Sequence, residues 1–164
     1  MIQRKQSIYL FIILAVVGSL LAGNPVMYTV SGEDKWTDGH KGTIEVSVLK
    51  IDGFLGETLA FETLNSYLIY TLGAVALLAF LALFLYKNRK LQLLLCGFNY
   101  LMMAGIGVFM YLYILEGKTS ILLQDSSEFH YSFLVAVLLP IMNFLAMRGI
   151  FADEKLIRSM DRLR

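Results

Sequence analysis

Residues 67–115 decide the fold of this chain: YLIYTLGAVALLAFLALFLYKNRKLQLLLCGFNYLMMAGIGVFMYLYIL. Two apolar runs without an acidic or basic side chain flank the short polar segment KNRK at 87–90. Each run is about 20 to 25 residues long, and at about 1.5 Å per residue such a helix crosses a hydrocarbon core of about 30 Å. Because a connection of about four residues joins only antiparallel neighbours, the stretch predicts a membrane hairpin.

The turn of this hairpin also carries the clearest orientation signal. Short loops rich in Lys and Arg remain in the cytoplasm. We therefore expect the turn and both chain ends to be cytoplasmic, and residues 24–66 to lie on the other side. The predicted topology determinants are five cations: Arg4, Lys5, Lys87, Arg89 and Lys90.

The composition is that of an integral membrane protein. Of the 164 residues 57% are hydrophobic, and the mean hydropathy of +0.65 is too high for a soluble domain of this size. The net charge is only +1, but most Lys and Arg fall on the predicted cytoplasmic side and most Asp and Glu on the other. The single cysteine, Cys96, permits neither an intrachain disulfide nor a cysteine metal cluster.

The apolar segments predict an all-α membrane protein, a four-transmembrane-helix bundle forming one domain over residues 1–164. The first segment follows two cations as a signal peptide does, but Leu20 or Leu21 occupies the position that a signal peptidase requires to be small, so we expect it to be retained. The four predicted spans are about 6–23, 67–86, 91–115 and 129–150.

The acidic segment 24–66 is predicted to form a small β-hairpin or sheet cap. Apolar residues alternate with polar ones over Val26–Val30 and again over Ile44–Val48, with turn formers between them and Trp36 near the tip. The pattern also allows a third strand over Leu49–Leu55 and a short helix over Phe54–Leu64. Glu116–Glu128 is predicted to be a short polar loop.

Small and amide residues within the spans indicate helix contacts. Asn99 and Asn143 lie at one predicted depth, about 10 to 12 Å into the membrane, so their side chains are expected to meet near Cys96. The alternatives are a bond to a backbone carbonyl or a contact with a partner subunit. The predicted packing residues are Gly73, Ala76, Ala79, Asn99, Gly105 and Asn143.

The segment 151–164 is predicted to be a basic amphipathic tail in the cytoplasm. Such a helix lies against a partner protein or against anionic lipid headgroups, which contribute about 1 kcal/mol per cation. The residues expected to contact partner or lipid are Trp36, Arg148, Ile157, Arg158, Met160, Arg162 and Leu163.

Several stretches together are similar to one protein family: MIQR at 1–4, LYKNRKLQ at 85–92, Leu139-Pro140 and DEKLIRSMDRLR at 153–164. They resemble a family of small four-helix inner-membrane proteins of gram-negative bacteria whose function is unassigned. The resemblance implies a multi-pass inner-membrane protein with 24–66 in the periplasm, and it implies no catalytic residues. The family usually has Asn-Arg where this chain has Met147-Arg148. In outline the chain is also similar to claudin-like four-span proteins, without their loop cysteine pair.

The sequence holds no recognisable enzyme motif. His40 lies near Asp34 and Asp38, and His130 is far along the chain, so no metal-ligand spacing is formed. There is no glycine-rich phosphate loop or hydrolase elbow, and no nucleic acid or cofactor is expected. The predicted spans have no ionisable residue at depth of the kind that coupled transporters use, and Arg148 lies at the inner edge of the fourth.

These observations predict a non-enzymatic accessory or scaffold subunit of a larger membrane complex, such as one for envelope biogenesis or protein export. Its expected partners are other membrane protein subunits and the anionic headgroups of the inner face. The alternative is a stand-alone lipid- or solute-binding membrane protein or a small oligomeric transporter.

Overall fold

A computed structural model describes residues 3–34, 41–55, 58–85, 88–119 and 121–161. These residues form one antiparallel sheet in the strand order β4-β3-β2-β1-β5, together with four helices. The helices are α1 Gln3–Gly23, α2 Ser66–Phe84, α3 Arg89–Thr119 and α4 Tyr131–Asp161. The strands are β1 Val26–Asp34, β2 Lys41–Ser47, β3 Lys50–Leu55, β4 Thr58–Leu64 and β5 Ile121–Phe129.

The predicted fold class is wrong. An all-α bundle of four transmembrane helices with a small strand cap is expected from the sequence, whereas the described residues combine helices with a five-stranded sheet. Among them, three helices are long and apolar enough to cross a membrane, which is compatible with a membrane protein. The three are Ser66–Phe84, Arg89–Thr119 and Tyr131–Lys155. The apolar part of α1, Ser7–Gly23, is shorter.

Two strands account for the difference from the predicted cap. Within the predicted short helix, residues 54–55 end β3 and residues 58–64 form β4, because Thr and Phe side chains favour a strand when a partner strand is present. Strand β5 lies where a polar loop is predicted, and it pairs with β1 over Tyr28–Asp34. Its polar centre, QDSSE at 124–128, lacks the alternation that identifies a strand in sequence.

The chain divides into two compact units, and every division falls inside a helix. The sheet unit contains Ser19–Tyr70 and Ile106–Ala136, and so all five strands. The helical unit contains Met1–Gly18, Thr71–Gly105 and Val137–Arg164.

The sheet has one apolar and one polar face, because successive side chains of a strand point to opposite sides. On the apolar face Tyr28, Val46 and Ile51 are cross-strand neighbours and are all buried. The end of α3 packs on this face at Gly117, where an added β-carbon would lie 3.2 Å from Val46 Cγ2. Glycine therefore permits the close approach of α3 to the sheet.

Polar side chains tie the helix ends to the strands within the sheet unit. Asn24 follows α1 with a φ of 39°, in the left-handed region that often ends a helix, and its Oδ1 accepts a hydrogen bond of 2.8 Å from the Leu49 N–H. The buried Asn65, just before α2, donates from Nδ2 to the Ser47 carbonyl at 2.8 Å. Ser132, near the start of α4, donates to the Val26 carbonyl.

Each helix buries a stripe of residues spaced three or four apart, as expected for helices packed on one side. The stripes of α1 and α2 are apolar, whereas those of α3 and α4 include polar side chains. The stripe of α3 is Gln92, Cys96, Asn99, Met103, Ile106, Met110 and Ile114.

Candidate interaction surface

The outer strand of the sheet, β4, is exposed along its whole length. All seven residues of Thr58–Leu64 are exposed, and three of them are large and apolar: Leu59 at 53%, Phe61 at 39% and Leu64 at 64%. In the described part of the chain β4 neighbours only β3, so its other side faces no strand. An open edge of this kind is a template for contact with another chain. We refer to Thr58–Leu64 as the β4 edge.

A β-bulge interrupts the β4 edge. Gly53 lies opposite Phe61, whereas the next residue, Phe54, lies opposite Leu59, so Ala60 is the extra residue. A bulge bends the strand and discourages the addition of a long partner strand. Contact at the β4 edge is therefore favoured through side chains rather than through an extended ladder.

The polar face of the sheet carries a line of carboxylates that ends at the β4 edge. Across the strands, Glu128 lies opposite Thr29, Thr29 opposite Glu45, Glu45 opposite Asp52, and Asp52 opposite Glu62. Directly opposed β-carbons are about 4.5–5.5 Å apart, so like charges in such positions repel. We call these four carboxylates, with Thr29 between them, the acidic row.

Lys50 neutralises part of the acidic row. Its Nζ lies 3.1 Å from Asp52 Oδ2 and 3.3 Å from Glu62 Oε1. The hydrogen bond to Asp52, and then that to Glu62, raise the pKa of Lys50 above its ordinary value of 10.5. Asp52 is only 6% exposed, and its Oδ1 has no hydrogen-bond partner among the described residues. Among the described residues one lysine pairs with this row of four carboxylates, which leaves the row acidic.

The other end of the polar face is held by neutral hydrogen bonds. His130 Nε2 lies 2.8 Å from Thr29 Oγ1, and the hydroxyl oxygens of Ser31 and Ser126 are 2.6 Å apart. Within the described ranges, no group of three or more His, Cys, Asp and Glu side chains is placed to hold a metal ion. The carboxylates of the acidic row are hydrogen-bond acceptors that carry negative charge.

The helical unit contains a second polar group, formed by buried amides. Asn143 donates from Nδ2 to the Cys96 carbonyl at 2.9 Å, and Gln92 donates from Nε2 to the Ala82 carbonyl at 3.0 Å. Asn99 is 1% exposed. The Asn99 and Asn143 side chains, which are expected to meet, form no hydrogen bond with each other: Asn143 Nδ2 donates to the Cys96 carbonyl, and neither amide atom of Asn99 has a hydrogen-bond partner among the described residues.

The predicted topology determinants lie at helix ends where the structure describes them. Arg89 and Lys90 are the first two residues of α3, with Lys90 exposed. Arg4 and Lys5 lie in the first turns of α1, and their side chains are outside the described ones. Lys87 lies outside the described residues.

The predicted packing residues occupy different environments. Ala79 is buried and Ala76 half-buried, whereas Gly73 is exposed and has open space where a β-carbon would lie. An added β-carbon on Gly105 would lie 3.7 Å from Thr71 Cγ2, an ordinary packing distance. Asn99 and Asn143 are buried.

Most residues predicted to contact a partner or lipid fall near the end of α4. Arg148 is exposed. Helix α4 continues through Ile157, Arg158 and Met160, whose side chains are outside the described ones. Three positions of the prediction, Trp36, Arg162 and Leu163, lie outside the described residues.

Comparison with known families identifies the chain at the level of its sequence family. The model of the family described as Domain of unknown function (DUF4293) matches residues 2–163. The chain belongs to this family. Membership of DUF4293 confirms the prediction that the chain belongs to a family of unassigned function. No curated protein sequence matches the chain.

In this DUF4293 protein, the β4 edge and the acidic row are the features that the sequence analysis does not identify. The row joins Glu45, Asp52, Glu62 and Glu128, which are scattered along the chain and meet only through strand register. The acidity of 24–66 is visible in the sequence, but it gives no indication of which carboxylates align.

Proposed function

We propose that this DUF4293 protein is a non-enzymatic accessory or scaffold subunit of a larger complex in a bacterial inner membrane. In this proposal the sheet lies on the periplasmic side and receives an extramembrane segment of a partner protein. The shorter apolar helix Ser7–Gly23 also crosses the membrane in this proposal, so that both termini and the connection between α2 and α3 are cytoplasmic. Complexes for envelope biogenesis or protein export are the kind of assembly that such a subunit serves.

Exposed tyrosines support membrane insertion. In the sheet unit Tyr67, Tyr70, Tyr111 and Tyr131 are all exposed and lie on helices near the strands. Tyrosine and tryptophan rings concentrate at membrane–water interfaces, because one end of the ring is apolar and the other polar. A belt of such rings is expected where α2, α3 and α4 emerge from lipid towards the sheet.

Cations in the helical unit support the orientation. The apolar run of α3 is preceded by Arg89 and Lys90, and that of α4 is followed by Lys155. Arg148 is exposed on α4. By the positive-inside rule these ends lie in the cytoplasm, where they meet anionic headgroups. In this proposal the acidic segment 24–66 is periplasmic.

The β4 edge is the observation that carries the proposal. Its exposed apolar side chains have no cover within the described chain, and it is the strand at which the acidic row ends. A partner that fits both features presents apolar side chains to Leu59 and Leu64 and a Lys or Arg towards Glu62. At protein interfaces a few anchor residues carry most of the binding energy, and charges of opposite sign favour the correct partner.

A different protein fits this edge better than a second copy of the chain. A copy brings its own Glu62 and acidic row to the contact, and like charges at an interface are unfavourable. The bulge at Ala60 also disrupts the continuous ladder that two β4 strands would need to share.

Quantitative co-purification tests the proposal. The tagged protein is extracted from native membranes in mild detergent, and the proteins that co-purify with it in stoichiometric amounts are measured by mass spectrometry. Leu59→Lys places a cation on the β4 edge and is expected to abolish co-purification of the partner protein. Ser127→Lys makes the same charge change on the exposed β5 strand and is expected to retain it. Recovery of the same co-purifying proteins in equal amounts with both variants would contradict a role for the β4 edge.

A further inference from the structure

Three buried atoms of side-chain amides in the helical unit have no hydrogen-bond partner among the described residues. They are Oδ1 and Nδ2 of Asn99 and Oδ1 of Asn143. Asn99 is 1% exposed and Asn143 0% exposed, so neither side chain is available to lipid or to another subunit. A buried amide that lacks a partner is strongly disfavoured, and most such groups in proteins are satisfied by protein or by ordered water.

The Asn99 and Asn143 side chains are both located near Cys96 of α3. Asn143 of α4 donates to the Cys96 carbonyl of α3 at 2.9 Å. Asn99 lies three residues after Cys96 and, like it, is buried, so both residues are on the same face of α3 within about one turn. Asn99 therefore lies within about one helical turn of the point at which Asn143 contacts α3.

The polar atoms near Cys96 favour a small neutral ligand. The Asn99 side chain offers an acceptor and a donor group, and Asn143 offers an acceptor. Residues 91–115 and 131–147 contain no Asp, Glu, Lys, Arg or His, so neither helix segment supplies a compensating charge for an ion. A molecule that donates and accepts hydrogen bonds satisfies all three atoms, and a buried water typically makes about three such bonds.

We propose that Asn99 and Asn143 form a binding site for a small neutral hydrogen-bonding molecule between α3 and α4, and that water occupies it. The Cys96 carbonyl positions the Asn143 amide so that its Oδ1 faces the site. This inference does not depend on the proposed role of the β4 edge, because the two features lie in different units of the chain.

Water-edited solid-state NMR in lipid vesicles tests the site directly. The chain has only five asparagines, so protein labelled with ¹⁵N-asparagine and ¹⁵N-valine gives a simple side-chain amide spectrum. Magnetisation is transferred from water protons to nitrogen. We expect a clear transfer to the Asn99 side chain, and none to the backbone amide of Val75, which is 0% exposed in the same unit. An Asn99 signal no stronger than that of Val75 would overturn the proposal.

A substitution tests whether the two amides share one ligand. In Asn99→Leu the water transfer to the Asn143 side chain is expected to fall to the Val75 level, whereas Asn99→Ser, which keeps a hydroxyl group, is expected to retain it. Unchanged transfer to Asn143 in a folded Asn99→Leu protein would show that the amides do not form one site. If Asn99→Leu does not fold, the wild-type spectrum and Asn99→Ser still decide the question.

Discussion

The Phe61 ring lies over Gly53 on the neighbouring strand, where it fills the space that a side chain would take. A β-carbon built on Gly53 would come within 2.2 Å of Phe61 Cε1. The two residues are cross-strand partners at the bulge that shapes the β4 edge. Because Gly53 has no side chain, the Phe61 ring can pack over it, and this packing sets the position of Phe61 on the β4 edge.

Gly53→Ala is expected to destabilise the protein by about 1–3 kcal/mol, because the methyl group forces Phe61 out of its position. Thermal unfolding in detergent measures the loss. Gly73→Ala is the matched control, since an added β-carbon there meets nothing within 4 Å and helix propensity favours alanine. Equal stability of Gly53→Ala and wild type would show that Phe61 moves away freely.

Lys50→Met is expected to lower the melting temperature at neutral pH, because it leaves Asp52 and Glu62 without their cation. Folding raises the pKa of Lys50 above 10.5, so the contribution of the charged amine to stability is fully present below that pH. It is lost as the pH rises through the higher pKa of the folded state. The melting temperatures of variant and wild type should therefore converge in strongly alkaline buffer. A gap that persists unchanged there would contradict an electrostatic role.

Asn65→Leu is expected to cost about 1–3 kcal/mol, since it leaves the Ser47 carbonyl without the donor that now satisfies it. Chemical unfolding followed by circular dichroism gives the value. Thr119→Val removes an exposed hydroxyl hydrogen bond to the Glu116 carbonyl and should change stability by less than about 0.5 kcal/mol. Similar losses in the two variants would mean that burial of Asn65 is unimportant.

Replacing Lys87, Arg89 and Lys90 together with Gln is expected to give the protein a mixed orientation. The readout is labelling by a membrane-impermeant maleimide of Ser127→Cys in a Cys96→Ser background. With the cations in place, Ser127→Cys should be labelled only from outside the cytoplasm. Labelling only from the cytoplasm would reverse the proposed orientation.

Local patterns predicted several elements of this fold well. The predicted break at 87–90 overlaps the connection between α2, which ends at Phe84, and α3, which begins at Arg89. The alternation over Val26–Val30 and Ile44–Val48 identified the paired strands β1 and β2, because alternation is a property of neighbouring residues. Such signals need no knowledge of distant contacts.

The remaining features depend on contacts between distant residues. Strand β5 is held by pairing with β1, about a hundred residues earlier in the chain, and β4 by pairing with β3 across a bulge. The acidic row follows from the register of all five strands, which no single segment encodes. The donation from Asn143 to the Cys96 carbonyl likewise required the relative position of two helices.

Photo-crosslinking in living cells tests most directly whether the β4 edge binds a partner. p-Benzoylphenylalanine is introduced at Leu59, with the same probe at Ser127 on β5 and at Leu77 on an exposed position of α2 as controls. The proposal predicts a discrete adduct with one other membrane protein at Leu59 and none of that mass at the two control positions. No adduct at Leu59, or adducts only with a second copy of this chain, would contradict it.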